Sequence, residues 1–160
     1  MTPLAESLGR ALKAKGALLV TAESCTGGGA AQAVTAIAGS SAWFERGFVT
    51  YSNAAKEELL GVRRETLERH GAVSEETARE MARGALARSH GTLALAITGV
   101  AGPGGGSEAK PVGTVCFAWA SRAGTLRSET LRFTGDREAV RRQSVAHALA
   151  GVLAQLGPGA

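Results

Sequence analysis

Aromatic side chains make up only 4% of this 160-residue chain: two tryptophans, one tyrosine and four phenylalanines. Its core must therefore be built mainly from aliphatic side chains and alanine. Cysteine is scarcer still. Cys25 and Cys116 stand far apart, which excludes a disulfide framework and offers no metal-ligand spacing. The three histidines, His70, His90 and His147, are isolated from one another and suggest no zinc site. Neither a metal nor an organic cofactor is expected. No apolar run approaches the roughly 20 residues of a membrane span. The N-terminus has no signal-peptide pattern, so a cytoplasmic, non-membrane protein is expected. The net charge of +4 leans toward anionic ligands, but Lys and Arg are scattered among acids and form no long block, which disfavours nucleic acid as partner. The 44% hydrophobic and 20% charged fractions suit one soluble domain over residues 1–160.

Hydrophobic periodicity orders that domain. Leu4, Leu8 and Leu12 share one face of a predicted helix over residues 3–15, closed by Gly16. A strand is predicted at 17–21, then a sharp turn at Ser24 and a small-residue helix reaching toward Gly39. A second strand runs from Trp43-Phe44 to Tyr51, followed by a helix over 54–60 with Asn53 as candidate N-cap. Short helical patterns follow at 63–70 and after Ser74-Glu75-Glu76, where a capping hydroxyl and two acids mark a helix start. Leu93–Thr98 is a continuous apolar run, as in a strand buried on both faces. Two strands, 112–120 and 126–133, are joined by too few residues for a parallel crossover and so predict a hairpin. A last helix starts at Gly135-Asp136 and stops at Gly157-Pro158-Gly159. The alternation predicts an α/β layered domain with a mixed sheet of about five strands.

Two strand-to-glycine transitions, Ser24–Gly29 and Thr98–Gly106, fall at carboxyl ends of predicted strands, where open α/β sheets bind ligands. Neither carries the Gly-Lys-Ser/Thr of a P-loop, and neither fits the dinucleotide fingerprint. Ser24 on such a turn has the exposure and nearby N–H donors that a hydroxyl nucleophile needs. It is not a Gly-x-Ser-x-Gly elbow, because Ala22 stands two residues before it. No histidine is well placed to serve as its base. Lys56, with Tyr51 close in sequence, is a better candidate, provided burial lowers its pKa. The alternatives are an ordinary helix lysine, a dyad of Ser52 with Lys56 at i,i+4, and Cys25 as nucleophile or as packing. Arg137 and Arg141 lie in the first turns of the last helix, where cations oppose the dipole unless an anion is shared.

Four ordered motifs carry a family resemblance: Thr21-Ala22-Glu23-Ser24-Cys25-Thr26-Gly27-Gly28, Gly47-x-x-x-Tyr51-Ser52-Asn53-x-x-Lys56, Thr98-Gly99-Val100-Ala101-Gly102-Pro103-Gly104-Gly105 and Gly135-Asp136-Arg137-x-x-x-Arg141. Together they resemble the C-terminal domain of the CinA competence/damage-inducible family, over nearly the whole chain. The family's separate N-terminal domain has no counterpart in this sequence. The resemblance implies hydrolysis of the carboxamide of nicotinamide mononucleotide to nicotinate mononucleotide and ammonia. It implies Ser24 as nucleophile, Lys56 as general base and Tyr51 as helper. It also implies a three-layer α/β/α fold, a homodimer and a small-molecule nucleotide substrate. The N–H groups of Thr26 and Gly27 are the physical choice for an oxyanion hole. Substrate contacts map to Ser41, Thr98 and the Gly102–Gly106 loop, including Gly104 and Gly105, with Arg137 or Arg141 on the phosphate. A non-catalytic nucleotide-binding or regulatory module is the alternative.

Overall fold

A computed structural model describes residues 1–157. The elements run α1 (Thr2–Ala14), β1 (Leu19–Glu23), α2 (Gly29–Thr35), a 3-10 turn (Ser40–Ala42), β2 (Phe44–Val49), α3 (Asn53–Leu60), α4 (Arg64–His70), α5 (Glu75–Ala87), β3 (Leu93–Gly99), β4 (Thr114–Ser121), β5 (Leu126–Arg132) and α6 (Arg137–Leu156). Gly157 ends α6 with φ +81°; Pro158 and Gly159, assigned to the same stop, lie outside the described residues. The first strand sits two residues later than its apolar run suggests, because the Ala17 N–H is used to close α1 on Leu12 O. Ser52, not Asn53, caps α3: its hydroxyl accepts the Ala55 N–H at 3.0 Å.

The five strands form one sheet in the order β2-β1-β3-β4-β5. β1 is parallel to both β2 and β3, whereas β4 and β5 form the antiparallel hairpin. The chain leaves β1 toward β2 through α2, then crosses back over β1 to β3 through α3, α4 and α5. β1 is therefore the strand at which winding reverses, and ligands of open α/β sheets bind beyond the carboxyl end of such a strand. Ser24 occupies that position, with the start of α3 on one side and the glycine-rich loop after β3 on the other.

Alternate strand residues face opposite helix layers. Leu19, Leu95, Ile97, Phe117 and Trp119 pack toward α1, α2 and α6. Ala22, Ala94, Ala96, Ala118 and Ala120 pack toward α5, which answers with Ala78, Met81, Ala82 and Ala85. The few aromatics are thus concentrated in one layer, and an alanine floor lets α5 lie close on the other. The result is the three-layer α/β/α sandwich with a mixed sheet.

Gly84 of α5 then brings in α3, the helix that carries Lys56. A Cβ on Gly84 would lie 1.8 Å from Leu60 O, a main-chain atom with nowhere to go. Gly84→Ala is therefore expected to destabilise the protein by about 2 kcal/mol despite alanine's better helix propensity. That lowers Tm by roughly 4–8 °C in a thermal melt. An unchanged or raised Tm would mean that α3 does not seat on α5 in this way.

Candidate active site

β1 delivers Ser24 without a break, because the Ser24 N–H still bonds Ile97 O on β3 at 2.9 Å. The chain then turns sharply, with the Gly27 N–H donating to Ser24 O at 3.0 Å. Gly27 and Gly28 take φ of +58° and +100°, which glycine adopts without steric cost. Beneath the turn lies Glu23, fully buried. Its carboxylate accepts Thr26 Oγ1–H at 2.6 Å and the Ala30 and Ala31 N–H groups at 2.8 and 3.1 Å. An anion at the first turn of α2 meets the positive end of its dipole. Glu23 was not singled out in the sequence; an acid ending an apolar run just before a glycine turn is the signal for it.

Lys56 is only 1% exposed. Its Nζ lies 3.0 Å from Ser24 Oγ, 2.9 Å from Thr50 O and 3.3 Å from Tyr51 O. Burial drives its pKa below the ordinary amine value by desolvating the ammonium. Among the described residues no carboxylate pairs with it to offset that penalty. A neutral amine has two N–H groups and one lone pair. Two backbone carbonyls can take the N–H groups, which turns the lone pair toward the Ser24 hydroxyl. Ser52 caps its own helix, so the i,i+4 pairing of Ser52 with Lys56 does not form. Burial pushes the Cys25 thiol up to about 11, so it remains a thiol near neutral pH.

Ser24 and Lys56 open into a cavity of about 300 Å³, lined also by Cys25, Tyr51, Thr98, Gly102, Gly104, Gly105 and Arg137. A cleft of about 690 Å³ over the start of α5 is larger, but neither Ser24 nor Lys56 reaches it. No histidine lines the Ser24 cavity. The Thr98 hydroxyl donates to Ala72 O at 2.8 Å and so ties down the opposite wall. Arg137 donates to Gly102 O at 2.8 Å and to Tyr51 Oη at 3.1 Å, bridging the glycine loop and the mouth.

Several expectations need correction. Gly27 cannot offer an oxyanion donor, because its N–H is taken by Ser24 O. Among the described residues, the N–H groups of Cys25, Thr26 and Gly28 have no protein acceptor. Two of these are successive N–H groups on one turn, an arrangement that binds anions. Tyr51 is 62% exposed, and its hydroxyl meets Arg137 rather than Lys56; its carbonyl is what holds the amine. Arg141 lies outside the cavity and bonds the carbonyls of the Ser24 turn instead. Ser41 stands before β2, at the edge of the sheet opposite Ser24, and does not reach the cavity. Among the described residues no helix is long and apolar enough to cross a membrane.

This geometry can be set beside known proteins. The chain is 60% identical over 146 residues to the nicotinamide-nucleotide amidohydrolase PncC of Escherichia coli, covering 91% of this chain and 88% of that protein. It is 55% identical over 157 residues to the protein of that name from Pseudomonas putida, covering 98% and 97%. The crystal structure of the competence/damage inducible protein CihA from Agrobacterium tumefaciens superposes with a TM-score of 0.94 at 48% identity, over 96% of this chain and 93% of that one. The family described as the CinA C-terminal domain matches residues 1–156. By this match and these identities, the chain belongs to the CinA C-terminal domain family.

Proposed function

We propose that this protein is a nicotinamide-nucleotide amidohydrolase that converts nicotinamide mononucleotide and water to nicotinate mononucleotide and ammonia. The observation that carries this reading is the buried Lys56 amine, with no carboxylate partner among the described residues, 3.0 Å from Ser24 Oγ. The relatives in Escherichia coli and Pseudomonas putida named for this activity support the substrate.

In this reading neutral Lys56 takes the proton of Ser24 as Oγ attacks the carboxamide carbon. The N–H groups of Cys25 and Thr26 receive the charge that develops on the carbonyl oxygen. Protonated Lys56 gives its proton to the departing nitrogen, the C–N bond breaks, and ammonia leaves an acyl ester on Ser24. A water then attacks the ester with Lys56 again as base, the carboxylate product departs, and Ser24 recovers its proton. Arg137 and the Gly102–Gly105 loop face the phosphate, and Tyr51 holds Arg137 at the mouth.

A homodimer goes with this reading. Its support is the edge position of β2 beside the exposed apolar side chains Val49 and Leu59. Cytoplasmic residence fits two free, buried thiols, Cys25 and Cys116. A binding module would have no use for a desolvated lysine against a serine hydroxyl. The test is incubation of the protein with nicotinamide mononucleotide. Ammonia and nicotinate mononucleotide should appear in equal amounts. Substrate that binds and persists would give the site to the binding-module reading.

A further inference from the structure

We infer that Arg141 is a positioning residue for this reaction, acting on the Cys25–Thr26 peptide and not on substrate; this rests on the amidohydrolase reading above. Arg141 reaches the Ser24 turn from α6. Its Nε donates to Cys25 O at 3.1 Å, and Nη2 donates to Thr26 O at 3.2 Å. A trans peptide places the Thr26 N–H opposite the Cys25 carbonyl, so this N–H points away from the guanidinium. Thr26 is fixed a second time through its side chain, by the 2.6 Å bond to Glu23. With carbonyl and hydroxyl both committed, the N–H is the one polar group of Thr26 that has no partner among the described residues.

A cation on the Cys25 oxygen also polarises the peptide and makes its N–H a stronger donor. The guanidinium fork suits this task, since the carbonyls of two successive peptides must be held at once; a lysine supplies the charge without the fork. The surroundings of Arg141 fit the same role. It lines, with Thr26, Gly29 and Val145, a cleft that Ser24 and Lys56 do not line, so it faces the turn from outside the reaction cavity.

The test compares Arg141→Lys and Arg141→Gln with the wild type on nicotinamide mononucleotide and on the nucleoside that lacks its phosphate. Both variants should lose about 10–100-fold in kcat on both substrates, since misaiming an oxyanion donor acts on the transition state. KM should stay within about threefold, as expected when ground-state binding is untouched. Arg137→Leu is the contrasting control, raising KM for the nucleotide but not for the nucleoside. In the substrate-free protein, the Thr26 amide resonance should shift in Arg141→Lys. A rise in KM for the nucleotide alone would make Arg141 a phosphate ligand and overturn the proposal. So would full kcat in both variants, or an unmoved Thr26 amide. If Arg141→Gln does not fold, Arg141→Lys carries every readout. A wild type that releases no ammonia would sink the amidohydrolase reading, while the Thr26 resonance would still report whether Arg141 sets that peptide.

Discussion

Ser24→Ala is expected to cut ammonia release from nicotinamide mononucleotide by roughly 10⁴-fold or more, the scale of losing a nucleophile. The fold should survive. The Ser24 main chain supplies the bond to Ile97 O and the acceptor for the Gly27 N–H, and alanine keeps both. The side chain contributes only the hydroxyl, whose partner is Lys56. Calorimetry on the variant should show the nucleotide still bound while the ammonia assay reads background. Turnover within about tenfold of wild type would exclude Ser24 as nucleophile, because no donor or base alone sustains such a rate.

Lys56→Met is expected to lower kcat by about 10²–10⁴-fold by removing the proton acceptor. The pH dependence identifies the amine more directly. In the unfolded chain Lys56 titrates near its ordinary value of 10.5; burial places the folded value lower. Below the folded value the amine is protonated in both states, and the cost of burying its charge is carried in full. Between the two values the unfolded chain binds more protons, so stability rises with pH. The wild type should therefore gain stability relative to Lys56→Met as pH rises from neutral toward 10.5. Its kcat/KM should climb with pH as the amine loses its proton, reaching a plateau below that value. Denaturant titrations at several pH values check the first claim and a pH–rate profile the second. A stability difference that does not change with pH would mean that the folded amine is not depressed.

Much of the arrangement was legible in the chain. An apolar run ending in Ser24 and glycines marked a strand-to-turn corner. Lys56 fell on the helix after the second strand, and Gly102–Gly105 on the loop after the third. The order of motifs then matched one family. The missing parts depend on where main-chain and long side-chain groups point, which local pattern does not encode. Gly27 carries the right residue type for a donor, yet its N–H is spent within the turn. Arg137 and Arg141 are one helical step apart, but one reaches the cavity and the other the outside of the Ser24 turn. Tyr51 is adjacent to the amine's carbonyl cage in sequence, while its ring leads outward to Arg137. Ser41 is near β2 in sequence, but at the wrong end of that strand.

The cage around Lys56 has a consequence for how such a site can vary over generations. Two of the three hydrogen-bond partners of the amine are backbone carbonyls, Thr50 O and Tyr51 O. Exchanging the side chains of those residues does not erase them. The free donors of Cys25 and Thr26 are likewise main-chain groups. Substitution at Thr50 or Cys25 therefore leaves these groups in place, whereas Thr26 and Tyr51 also use their side chains, on Glu23 and Arg137. Insertion and deletion do not leave them in place: removing one residue between Ser52 and Lys56 would swing the amine by about 100° around the helix. The machinery is written largely in chain path, so a lineage can drift in letters while its spacing stays frozen.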